Sequence, residues 1–132
     1  MRGWMVLVAA SAVAMAAGMA QAADPVEGVW QTQPGDDGAF GHVRMAPCGA
    51  SLCGTLIRAY DGDGRARQTD TLGRQLVWDM DAQGGGAYGG GKIWAPDRDK
   101  TYASKMVLDG DRLKVSGCVI GICRSQVWAR VE

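Results

Sequence analysis

The sequence predicts an all-β protein, a small antiparallel up-and-down barrel of about eight strands, and three observations carry that expectation. Gly is abundant, with 20 residues, and is spread through the chain rather than confined to one linker. Glu occurs only at Glu27 and Glu132, and no stretch repeats apolar residues at i, i+3 and i+4 over three turns, so the chain lacks the stripe a helix would bury. Strand-like segments of about six to nine residues alternate with Gly and Asp clusters at spacings near ten, as antiparallel strands joined by turns do.

Before the first strand, residues 1–23 read as a signal peptide. Arg2 is the single charge, an apolar run over 4–17 follows, made mostly of Ala, Val and Met, and Ala20-Gln21-Ala22 supplies a small-x-small cleavage site. The predicted mature start is Ala23 or Asp24. Gly18 and Gln21 interrupt the run before it reaches the ~20 apolar residues of a membrane span, so no stable span is expected once the signal is removed. The remaining residues, 24–132, are expected to form a single barrel domain in the periplasm or outside the cell.

The first strand is expected over 26–33, the second over 38–46 and the third over 52–60. A polar loop follows over 61–71, then a fourth strand over 72–80, a turn over 81–86, and a fifth strand over 87–94 that ends at Pro96. The clearest hairpin spans 101–117: Tyr102, Met106 and Leu108 share one face, Asp109-Gly110-Asp111 tolerates the positive φ of a tight turn, and Leu113 and Val115 resume the alternation. In the last strand Val127, Ala129 and Val131 occupy one face and Gln126, Trp128 and Arg130 the other. About eight strands suffice to close a small barrel and remove its edges.

Two cysteine pairs share one spacing, Cys48-x4-Cys53 and Cys118-x4-Cys123, and each brackets residues that include Gly and are otherwise small or apolar. Both thiols of a pair then fall near the neck of a hairpin, so local bridges, Cys48 to Cys53 and Cys118 to Cys123, are favoured among the three connectivities four cysteines allow. The sharper alternative is a zinc site built from all four; zinc pairs usually have two to four residues between them, and an oxidising compartment favours disulfide over thiolate. No C-x-x-C redox pair is present.

Charge and motif chemistry narrow the function classes. The chain carries 14 Lys and Arg against 14 Asp and Glu, and loss of Arg2 leaves 13 against 14. A phosphate-tracking surface needs clustered cations, whereas Arg65, Arg67, Arg74, Arg98 and Arg112 each stand close to an acid or a Gly turn, so no nucleic-acid partner is expected. Gly86-x4-Gly91-Lys92 has P-loop spacing, but Ile93 stands where the magnesium-binding Ser or Thr belongs, and Pro96 forbids the helix. Asp61-Gly62-Asp63-Gly64 resembles the first turn of a calcium loop without its later ligands, and reads as a solvated turn. His42, the only histidine, reads as a surface strand residue, with no nucleophile elbow or second imidazole to serve. The carboxylates of Asp79, Asp81, Asp97 and Asp99 all sit where turns want Asp. No catalytic residue, metal or cofactor is assigned, and the chain is not expected to be an enzyme.

Gly28-Val29-Trp30 on the first strand, with a late Arg130 on the last, resembles the opening of the calycin barrels, the lipocalin and avidin group. A longer match includes Pro47-Cys48, Leu52-Cys53-Gly54-Thr55-Leu56-Ile57, Gly90-Gly91-Lys92-Ile93-Trp94-Ala95-Pro96, Lys100-Thr101-Tyr102, Leu113-Lys114-Val115-Ser116-Gly117-Cys118 and Gln126-Val127-Trp128-Ala129-Arg130. In that order these segments are similar to the bacterial exported proteins grouped as domain-of-unknown-function family 2147. The resemblance implies a periplasmic, lipocalin-like barrel whose Trp30 closes one end with a basic side chain against it, making Gly28, Trp30 and Arg130 structural. It brings no catalytic residues. Between Tyr60 and Leu72 the family tends to carry Asn-Pro and Arg-x-Arg-Pro-Leu, where this chain has Asp61-Gly62-Asp63-Gly64-Arg65-Ala66-Arg67-Gln68, so a role tied to that loop does not carry over.

The aromatics supply the functional expectation. Trp78, Tyr88, Trp94, Tyr102 and Trp128 recur on successive strands, and stacked toward a lumen or mouth they would line a pocket for a small apolar molecule, with Arg58, Lys92 and Arg74 as polar handles. The rival expectation is a barrel filled by these same side chains, which acts as an envelope interaction protein through an exposed strand or the 61–71 loop.

Overall fold

The computed structural model describes residues 23–132 together with positions 3 and 9–11; the signal-peptide expectation for 1–23 therefore lies almost wholly outside the described residues. Eight antiparallel strands follow in sequence: β1 (Gly28–Gln31), β2 (Phe40–Cys48), β3 (Ser51–Tyr60), β4 (Gln75–Gly84), β5 (Ala87–Ala95), β6 (Lys100–Asp109), β7 (Arg112–Val119) and β8 (Ile122–Arg130). Each pairs with its neighbours in chain order, and β1 closes on β8 through Trp30 opposite Arg130 and Gln31 opposite Ala129, making a closed up-and-down barrel. Among the described residues there is no helix.

The alternation of each strand sets what enters the barrel. On β7 and β8, Leu113 opposes Trp128 and Val115 opposes Gln126, so the face shared by Gln126, Trp128 and Arg130 is the inner one, while Val127 and Val131 are exposed. Trp30, Met45, Met80, Met106 and Leu113 are fully buried and pack as one core. Three methionines among them suit an irregular interior, because an unbranched thioether fills gaps that branched chains cannot.

Most strands fall where the sequence places them, and β4 does not. It was expected over 72–80 with a turn at 81–86; it begins at Gln75 and runs on to Gly84. Asp79 adopts a positive φ of 56°, a local bend in the strand that returns Met80 to the inner side after Val77. That irregularity breaks strict alternation, and the apolar pattern therefore gives out at Met80 although the pairing with β5 continues to Gly84 opposite Ala87. β1 is also shorter than 26–33, since Val26 belongs to a turn ahead of it.

One end of the barrel is closed. Residues 24–27 fold across it as a turn, with Glu27 N–H donating to the Asp24 carbonyl (2.9 Å) and the Val26 side chain fully buried. Trp30 Nε1 donates to the Val26 carbonyl (2.9 Å), and the Arg130 guanidinium lies 4.3 Å from the Trp30 ring centre. Arg130 also donates to the carbonyls of Glu27 (3.1 Å) and Pro25 (2.6 Å). Gly28 makes this possible: its φ is +134°, and a Cβ there would collide with the Glu132 carbonyl and stand 2.9 Å from Arg130 Nη1.

The disulfides are the two local ones, Cys48–Cys53 and Cys118–Cys123, with Cα separations of 5.6 and 4.1 Å. They staple opposite ends of the barrel. Cys48–Cys53 sits at the β2–β3 hairpin of the closed end, and Cys118–Cys123 at the β7–β8 hairpin of the other, so the four sulfurs do not converge on one site.

Candidate functional site

At the end opposite Trp30 the lumen opens into a cavity of about 520 Å³, within the range of small-molecule sites. Its walls come from β5 to β8: Ile93, Tyr102, Val115, Gly117 and Trp128 line it, and Val119, Ile120 and Ile122 form part of its rim. Trp128 and Val115 are buried side chains at its base. The space exists partly because β7 carries no side chain at Gly117, where a Cβ would come within 3.3 Å of Ile93 Cγ2 and 3.6 Å of Tyr102 Cβ. Polar groups are few. Gln126 accepts from Trp128 Nε1 (3.0 Å), and Arg98 and Arg124 complete the charged part of the lining with Asp97.

Trp94 is fixed at the rim by partners on both sides. Its Nε1 donates to Asp99 Oδ1 (2.9 Å), and the Arg74 guanidinium lies 3.3 Å from its ring centre. A Trp held this way contributes a preorganised apolar surface at little conformational cost.

Of the residues singled out from the sequence, Trp94, Tyr102 and Trp128 meet at this cavity. Tyr88, Trp78 and Arg58 lie outside its lining, each for a physical reason. Tyr88 is buried toward the closed end, where its hydroxyl donates to Asp24 Oδ1 (2.5 Å); burial, and then that carboxylate, push its phenol pKa well up, so it stays a donor. Trp78 is half-buried and packs against the core outside the cavity, while its register partner Lys92 is exposed. Arg58 is also exposed, donating to His42 Nδ1 (3.1 Å) and to Glu132 Oε1 (3.2 Å).

His42 is accounted for by the same outer cluster. Because Arg58 Nε donates to Nδ1, Nε2 carries the ring proton and faces Gln31 Oε1 at 3.2 Å. Burial, and then the Arg58 charge, lower its pKa, with Glu132 opposing. The Asp61 carboxylate is likewise engaged, accepting from the N–H groups of Asp63 (3.0 Å) and Arg65 (2.9 Å) as a turn aspartate does. Gly86 lies in the β4–β5 turn and Gly91-Lys92 within β5, with no helix to cradle a phosphate.

Lining residues that sequence reasoning does not assign to the site include Ile93, Val115, Gly117, Gln126, Arg98, Arg124 and the β7–β8 tip. Alternation already places Gln126 beside Trp128 on one face of the last strand, but does not say that this face is the inner one. Gly117 leaves no such trace, since a strand glycine reads equally as a bulge or a weak point.

Residues 28–130 match the model of a protein family described as "Uncharacterized protein conserved in bacteria (DUF2147)". The chain belongs to that family. The match runs from Gly28, at the closed end, to Arg130, the residue that stacks on Trp30, and so takes in all eight strands. Among solved structures the chain is similar to protein HP1028 from the human pathogen Helicobacter pylori, described as belonging to the lipocalin family, with a TM-score of 0.64 and 18% identity over 80% of this chain and 82% of that one. At that identity the likeness establishes the fold, a lipocalin-like barrel. No curated protein matches the chain.

Proposed function

We propose that the protein is an exported binding module that holds a small, largely apolar molecule at the open end of its barrel. On this reading residues 1–23 are removed as a signal peptide, and 24–132 work as one domain in the periplasm or outside the cell. Two disulfides fit an oxidising compartment of that kind.

The observation that carries the proposal is the division of the lumen. Below, Trp30, Met45, Met80, Met106 and Leu113 fill it; above, a cavity of about 520 Å³ remains, walled by Ile93, Tyr102, Val115 and Trp128. The self-filled barrel of the rival expectation describes the lower half alone. Apolar walls favour transfer of hydrocarbon out of water by about 25 cal/mol for each Å² buried, and Gln126, Arg98 and Arg124 offer the few polar contacts that would fix orientation.

Native mass spectrometry on protein purified gently from a periplasmic extract tests both parts. The expected mass is that of the chain from Ala23 or Asp24 less four hydrogens, with an added ligand. Titration with aromatic and lipid-like probes should then change the tryptophan emission, because Trp94 and Trp128 line the cavity while Trp30 is sealed at the other end. A bare mass together with a flat titration across the panel would overturn the proposal.

A further inference from the structure

The β7–β8 hairpin turns through two residues, Ile120 and Gly121, between the paired Val119 and Ile122. Both turn residues have positive φ, 49° and 76°, as a type I′ turn requires. Asn-Gly or Asp-Gly is what this turn prefers, and a β-branched residue at positive φ is a strained outlier. Ile120 gains nothing from burial in return: it is 97% exposed, with Ile122 at 76% and Val119 at 48%. Four consecutive residues, none of them polar, therefore project into solvent at the cavity mouth, held in shape by the Cys118–Cys123 bridge.

We propose that this tip is a membrane contact, which inserts Val119, Ile120 and Ile122 into the interfacial region of an anionic phospholipid surface. Three observations select this occupant. A hairpin tip of four residues is far smaller than the ~800 Å² per partner of a stable protein interface, whereas shallow insertion needs only a few aliphatic side chains. Arg98 and Arg124 line the same mouth and Lys100 begins the adjoining β6, placing cations where headgroup phosphates would lie. Of the nearby acids, Asp97 stands 4.0 Å from Arg98, and Asp99 is occupied by Trp94. The remaining acids of this end, Asp36, Asp37, Asp61, Asp63 and Asp70, belong to the β1–β2 and β3–β4 loops, which approach each other through Gly38 and Gly62. Docking by the tip would bring the mouth to the lipid surface, so that an apolar molecule could pass between bilayer and cavity without crossing water. The contact itself does not depend on whether the cavity is filled.

The test is flotation of the periplasmically purified protein with vesicles of phosphatidylethanolamine and phosphatidylglycerol, and with vesicles of phosphatidylcholine alone. Wild type should float with the anionic vesicles and less with the neutral ones. Ile120→Asn should weaken partitioning by about tenfold, yet raise the melting temperature by a few degrees, because Asn-Gly suits the turn that Ile-Gly strains. Ile122→Asn should weaken partitioning without that gain. Absence of wild-type flotation would overturn the proposal, as would flotation of Ile120→Asn equal to wild type. A wild-type dimer in solution that Ile120→Asn converts to monomer, with no vesicle association by either, would overturn it in favour of a protein contact.

Discussion

Replacing Arg130 by Ala should lower stability by about 3 kcal/mol while leaving the cavity at the other end intact. Four interactions are lost together. The guanidinium donates to two backbone carbonyls, Glu27 at 3.1 Å and Pro25 at 2.6 Å, and each bond from a charged donor at a partly solvated barrel end contributes about 1 kcal/mol. Its position 4.3 Å from the Trp30 ring adds a cation–π attraction of about 1 kcal/mol. The Asp111 ion pair at 3.3 Å adds at most a few tenths, since the Asp111 side chain is 86% exposed and solvent screens it. For a domain of this size about 3 kcal/mol corresponds to a fall of roughly 12 °C in melting temperature. Near-UV circular dichroism during heating reports it directly, because Trp30 sits in the packing that is lost. Arg130→Lys, which keeps the charge but cannot fork to both carbonyls, should lose about half as much. A fall under about 4 °C for Arg130→Ala, or equal losses for Ala and Lys, would refute the reasoning that the fork across residues 25–27 holds this end shut.

Two other perturbations separate the cavity and the outer wall from that closure. Gly117→Leu should fill the space before Ile93 and Tyr102 and weaken probe binding by at least about tenfold in the fluorescence titration, while stability stays within about 2 kcal/mol because strain is offset by apolar filling; unchanged affinity would place the ligand elsewhere. His42 has a folded-state pKa below its ordinary value of about 6.5, through burial and then Arg58, so the unfolded chain binds its proton first. The stability it contributes is therefore fully present above pH ~6.5 and is lost as pH falls through the folded-state pKa. Urea midpoints at neutral and mildly acidic pH should show that fall, and His42→Asn should show a smaller one; equal falls would mean His42 is not involved.

Much of the fold was legible in the sequence because antiparallel strands announce themselves twice, in alternation and in turns. The 101–117 hairpin combines both signals, and β6 and β7 lie there. β4 failed where one signal was broken: Asp79 at positive φ puts the pattern out of phase, and Gly84-Gly85-Gly86 looks like a longer turn than the barrel uses. The candidate site was half legible. Trp94, Tyr102 and Trp128 could be grouped as aromatics of the barrel strands, but Trp78 and Tyr88 fit the same description, and Arg58 was an equally plausible polar handle; they differ in strand phase and in which end they approach. A one-residue change of phase exchanges lumen for outer wall, and composition carries no record of it.

The two stapled hairpins provide an internal comparison that bears on the open end. Cys48–Cys53 and Cys118–Cys123 have the same separation of five, and both bridge β-hairpins in one barrel. At the closed end the enclosed residues are Gly49-Ala50-Ser51-Leu52; Gly49 takes the positive φ that the turn needs, Ser51 Oγ donates to Asp81 Oδ1 (2.6 Å), and Leu52 is buried. Each residue does what a water-facing turn asks. At the open end the enclosed residues are Val119-Ile120-Gly121-Ile122, and every non-glycine among them exposes aliphatic surface, with the strained position taken by Ile. A two-residue turn and a disulfide of the same sequence separation are common to both, so neither explains the difference. The turns differ in that only Gly49 has positive φ in the first whereas both Ile120 and Gly121 do in the second, and positive φ disfavours Ile rather than calling for it. The setting differs as well, since the second hairpin borders the open-end cavity, whereas the first lines a separate cleft with Asp24 and Glu27. Its apolar tip is therefore better explained by what meets the mouth of the barrel than by what holds the barrel together.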